Sequence, residues 1–115
     1  MSLVAKKLRE ARRVEIKIGE ITFFGHRVTP DQFDRYRSNS TPITDGDICR
    51  LHIDGAEGVK ESDYMDGGAK TPWKFNSDDF AEIIVEKPEW YKTLAAELLK
   101  DAREKHEARA ENKKN

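Results

Sequence analysis

The chain holds a single cysteine, Cys49, which excludes an intrachain disulfide and a thiolate zinc site. A reducing compartment fits that usage. No apolar run is long enough for a signal peptide or a membrane span, and charges begin at Lys6, so neither general export nor membrane insertion is expected. Neither sign of charge dominates: 21 Lys and Arg stand against 22 Asp and Glu. The resulting net charge of -1, with a pI near 6.3, removes the bulk electrostatic case for a nucleic-acid binder. Neither His26, His52 nor His106 has a second histidine three to five residues away, so metal spacing is lacking. No Ser-His-Asp or Cys-His order follows a known motif, so no catalytic residue, cofactor or metal site is expected among these side chains. Asp54-Gly55, Asp63 and Asp66-Gly67 lack the alternate acids and closing Glu of a calcium loop, and Gly55 to Gly58 lacks the Lys-Ser/Thr pair of a nucleotide loop. Both read as turn chemistry. Apolar residues are scarce as well, at 37%, no more than the charged residues, and mean hydropathy is -0.84. A lean core inside a highly charged surface follows.

What the sequence does contain is one segment with an unambiguous period of two, Val14 to Gly25. It reads as a β-hairpin with Gly19-Glu20 as a type II′ turn, glycine taking the position that requires positive φ. Ile18 then faces Ile21, Ile16 faces Phe23 and Val14 faces Gly25 on an apolar side; Lys17/Thr22 and Glu15/Phe24 lie on the other. A two-stranded ribbon is marginal alone, so helices must cover the apolar side. Phe24, among polar neighbours, meets either a second layer or a partner.

The 115 residues are expected to form one small soluble α+β domain, the hairpin packed against several short helices and a longer C-terminal helix. Residues 1–13 form a basic helical lead-in, with Val4, Leu8 and Ala11 at helical spacing. Thr29-Pro30-Asp31-Gln32 is a capped helix start carrying Phe33 and Tyr36 inward, and Ser38 to Pro42 is a polar loop. Thr44 and Asp47 open another helix with Ile48 and Leu51 as its stripe, although Cys49, Leu51 and Ile53 also alternate as a strand would. Residues 54–75 read as a long connector, in which Trp73 and Phe75 either pin the chain to the core or dock a partner. Asn76 or Ser77 caps a helix with Phe80, Ile83 and Ile84. Pro88 opens the longest one, striped by Tyr91, Leu94, Ala95, Leu98 and Ala102 and edged by Trp90 and Leu99. Residues 103–115 are a polar tail that frays or continues into solvent unless a partner covers it. Charge is uneven along the chain. Lys6, Lys7, Arg9, Arg12 and Arg13 near the start face seven acids between Asp45 and Asp66, so the two regions can pair within or between subunits.

The order of these marks resembles the tail assembly chaperones of long-tailed bacteriophages and prophages. The resemblance rests on the Val14–Phe24 hairpin, Thr29-Pro30, Gly55-x-x-Gly-Val59, Pro72-x-x-Phe75-x-Ser77 and Pro88-x-Trp90, and covers about residues 14 to 100. The chain departs at Ala56, where such proteins often carry an aromatic. The resemblance implies a non-enzymatic protein that binds the tape-measure protein, keeps it soluble in the host cytoplasm during tail morphogenesis, forms homo-oligomers and is absent from the mature virion. Phe24, Trp73, Phe75 and Trp90 are the expected partner contacts. It also implies a longer frameshifted form, with Lys113-Lys114-Asn115 as a slippage site if the lysine codons are both AAA. Two other classes remain open: a small regulatory or adaptor module touching nucleic acid through residues 6–13, and a minor structural tail protein.

Overall fold

The computed structural model describes residues 2–38 and 42–114, the stretch 109–114 as backbone only. Residues 39–41 of the expected polar loop, and Asn115 with the side chains of the Lys113-Lys114 slippage site, lie outside the described residues. The elements are α1 (Leu3–Ala11), β1 (Arg13–Ile18), β2 (Ile21–His26), α2 (Pro30–Arg37), α3 (Asp45–His52), β3 (Ile53–Glu57), α4 (Glu61–Tyr64), α5 (Ser77–Ile84) and α6 (Pro88–Lys114). The fold class is α+β. No helix among the described residues is long and apolar enough to cross a membrane.

The hairpin forms in the expected register, with Ile18 opposite Ile21, Ile16 opposite Phe23 and Val14 opposite Gly25. Gly19 has φ +60° and no non-glycine residue among those described has positive φ, as a type II′ turn requires. Ile21 and Phe23 are buried; Val14, Ile16 and Ile18 on the outer strand are half-covered. The sheet has a third strand that the connector reading missed. β3 pairs antiparallel with β2, giving the order β1-β2-β3. Its sequence, Ile-Asp-Gly-Ala-Glu, has little strand propensity; its order comes from main-chain bonds to β2, whose free edge would otherwise be unpaired. The pairing slips between Phe24 and Gly25, which face Gly55 and Ile53, so Asp54 is an extra residue. Asp54 approaches His26 Nδ1 at 2.8 Å and Arg13 at 3.9 Å.

Helix starts follow local chemistry. The Thr29 hydroxyl accepts from Gln32 N while Thr29 N donates to Gln32 Oε1, and Thr44 with Asp47 repeats the arrangement. Asn76 Oδ1 accepts from the amides of Asp78 and Asp79. In α3 the expected stripe is corrected: Ile48, Cys49 and His52 face the core and Leu51 is 64% exposed. The connector is ordered too, because α4 lies inside a loop closed by Trp73 N donating to Val59 O and Glu61 N to Thr71 O. On α6, Leu94, Ala95, Leu98 and Ala102 are fully buried at three- and four-residue spacing. The polar tail from 103 continues as helix, and α2 covers its beginning: the Phe33 and His106 rings meet edge to face at 6.1 Å.

Candidate functional site

Three of the four expected contact residues belong to one run of aromatic rings. Tyr64, Trp73, Phe75, Phe80, Phe23 and Trp90 succeed one another with centroid separations of 6.0, 5.5, 5.3, 6.3 and 5.4 Å. Such tilted and edge-on pairs add to the burial energy of each ring. The run connects surface to interior. Trp90 lies at the inner end, 5% exposed and with Lys87 Nζ 5.1 Å from its ring centre, so it has no face left for a partner. Phe75 is half-buried between Trp73 and Phe80. Trp73, next to Tyr64 at the outer end, lines with it a hollow of about 360 Å³ together with Met65 and Ile83, rimmed by Asp79, Glu82 and Glu86. Phe24 is elsewhere. It points to the opposite side of the sheet, opposite Glu15 and Gly55, and its ring lies against the space a Gly55 side chain would fill, 3.6 Å from that Cβ position. An aromatic covering a cross-strand glycine explains Phe24 without a second layer.

A larger groove runs between α2 and α6, about 670 Å³. Pro30, Phe33 and Tyr36 form one wall and Ala96 and Leu99 the other, while Asp34, Arg37, Lys100, Arg103 and Glu107 form a rim of both signs. Its size falls in the usual range of ligand sites, and it is open along one side. His106 closes one end, its Nε2 at 3.2 Å from Val28 O; its Nδ1 is buried without a hydrogen-bond partner among the described residues. The sequence signal for this groove was the coincidence of Phe33 and Tyr36 on α2 with Leu99 at the edge of the α6 stripe. Which helix faces which is not encoded locally.

The second polar feature is the buried His52, 3% exposed. Its Nδ1 lies 3.2 Å from the His26 carbonyl, so that nitrogen carries the proton and donates; Nε2 then accepts from the Tyr36 hydroxyl at 2.8 Å. Burial pushes the His52 pKa below the ordinary histidine value, the bond to the His26 carbonyl opposing this and the nearby His26 ring adding to it. Burial likewise raises the Tyr36 hydroxyl. A histidine with a depressed folded pKa leaves stability intact above its unfolded value of about 6.5 and removes it as pH falls toward the folded pKa. Thermal midpoints measured from pH 7 to 5 should therefore fall more steeply for the wild type than for His52→Asn, which keeps a donor but cannot titrate. Parallel curves would show that His52 protonates as readily folded as unfolded.

Cys49 is fully buried, its thiol pushed up to about 12 chiefly by burial and donating weakly to Tyr91 O at 3.6 Å. Near the α1–α2 side, Arg9, Arg12, Arg27 and His26 line a small hollow, but Arg27 is held by Asp101 at 2.8 Å. Comparison with protein-family models, curated proteins and solved structures finds no match for this chain. What the fold and grooves define is a class: a highly charged α+β protein with two open apolar grooves, one with a rim of both signs and one with an acidic rim.

Proposed function

We propose that this protein is a non-enzymatic tail assembly chaperone that binds an apolar stripe of the tape-measure protein and keeps that long helical client soluble in the host cytoplasm until the tail tube assembles. The observation that carries the reading is the α2–α6 groove, the larger of the two open apolar grooves, in a chain more than a third of whose residues are charged. A helix laid in it presses its apolar side on Phe33, Tyr36 and Leu99, and its polar flanks meet cations and anions at the rim. Weak contacts repeated along one client gain by multivalency. The order of marks from Val14 to Trp90 supports the tape-measure protein as that client.

Co-expression tests it. The wild type is expected to hold a tape-measure polypeptide in the soluble fraction, and Ala96→Glu to lose that ability. Ala96 is exposed on α6 and lines the groove, so a charge there should change folding stability by no more than about 0.5 kcal/mol. A client that aggregates beside the wild type defeats the chaperone reading; equal rescue by Ala96→Glu moves the contact away from this groove. Binding that collapses steeply with salt would instead favour a nucleic-acid adaptor.

A further inference from the structure

We propose that α1 of one copy docks into the Trp73 groove of a second copy, joining chains head to tail. The proposal uses a different groove from the client reading and does not depend on it. α1 is a capped nine-residue helix with no buried residue, and Leu3, Val4 and Leu8 are 66%, 67% and 52% exposed. A helix this short is marginal in isolation, and an amphipathic stripe left in water is unusual for one. Its C-terminal end is tied to its own chain by Arg27 Nη1 donating to Ala11 O at 3.3 Å, and α1 contributes nothing to the lining of that chain's Trp73 groove.

The two surfaces are complementary in both respects. The groove offers Met65, Trp73 and Ile83 as an apolar floor, Met65 itself 55% exposed, and every charged residue lining it is an acid: Asp79, Glu82 and Glu86. Among the described residues, none of these acids pairs with a basic side chain, and Lys6, Lys7 and Arg9 of α1 have no acidic partner. An apolar stripe flanked by three unpaired cations and the single acid Glu10 thus meets an apolar floor flanked by unpaired anions only, and the pairing satisfies both at once. Because donor and acceptor surfaces differ, the contact is heterologous: it propagates as an open chain unless the rotation closes a ring. A small interface of this kind gives weak, concentration-dependent association.

Sedimentation velocity of the full chain decides it. The wild type should grow in size with concentration. Lys7→Glu with Arg9→Glu, and separately Glu82→Lys with Glu86→Lys, should each weaken association by about two orders of magnitude. An equimolar mixture of the two reversed proteins should recover it, since every groove then finds a helix of opposite charge. Circular dichroism checks that each variant is folded, and Leu8→Ser replaces the α1 reversal if that one is not. The proposal is overturned by a wild type that remains monomeric up to about 1 mM, by reversals that associate like the wild type, or by a mixture that stays monomeric.

Discussion

Replacing Phe23 by alanine is expected to cost about 3–5 kcal/mol of folding stability, the usual range for a buried phenylalanine. Phe23 is fully buried on β2 and is the ring through which the aromatic run turns from α5 to α6, 6.3 Å from Phe80 and 5.4 Å from Trp90. Removing it empties the space between the sheet and both helices. Domains of this size have total stabilities of about 5–15 kcal/mol, so a melting temperature lower by roughly 10–20 °C is expected, or a chain unfolded at room temperature. Phe24→Ala is the matched comparison. It lies one residue on, across the sheet, resting on Gly55, and its loss should be near 1 kcal/mol. Urea titration of both variants measures the contrast, and equal losses would mean that the two faces of β2 are not divided into core and surface.

Gly25→Ala should be nearly as damaging, for a different reason. A Cβ at that position would stand 2.3 Å from the carbonyl oxygen of His52 and 3.1 Å from its carbon, where no rotamer change can relieve the overlap. β2 and the end of α3 must separate, at the bulge where Gly25 faces Ile53 and where His52 donates to the His26 carbonyl. Overpacking typically costs about 1–3 kcal/mol and sometimes more, and a backbone clash belongs at the upper end. Gly46→Ala, inside α3 with only Thr44 Oγ1 at 3.8 Å from the new methyl, should instead gain up to about 1 kcal/mol. Thermal denaturation of the pair therefore reads opposite signs. A neutral Gly25→Ala would mean that β2 and α3 are not held at this closeness.

The contact surfaces were only partly legible. Trp73, Phe75 and Trp90 are large aromatics near prolines and share one run of rings, but their sequence environments do not distinguish the outer end from the buried one. Trp90 precedes the α6 stripe by a single position, and that rotation is enough to carry it into the core while leaving Tyr91 half-covered. Likewise Leu51 fits a helical stripe as well as Cys49 or His52 does. The choice among them depends on where β2 and α6 lie, not on α3 itself.

What the sequence determined by itself was whatever is decided within three or four residues: the hairpin register through its period of two and the glycine turn, and the helix starts through Thr29, Thr44, Asn76 and Pro88. Caps and turns are satisfied by immediate neighbours, so their chemistry is written beside them. Only the tertiary structure decided that residues 53–57 become a third strand, that α2 lies along α6 and opens a groove, and that the apolar side of α1 stays uncovered. Those outcomes depend on a distant backbone edge, on which helix approaches which, and on the presence or lack of a packing surface. Each is a property of pairs of elements far apart in the chain, and the side chains of one element alone do not carry it.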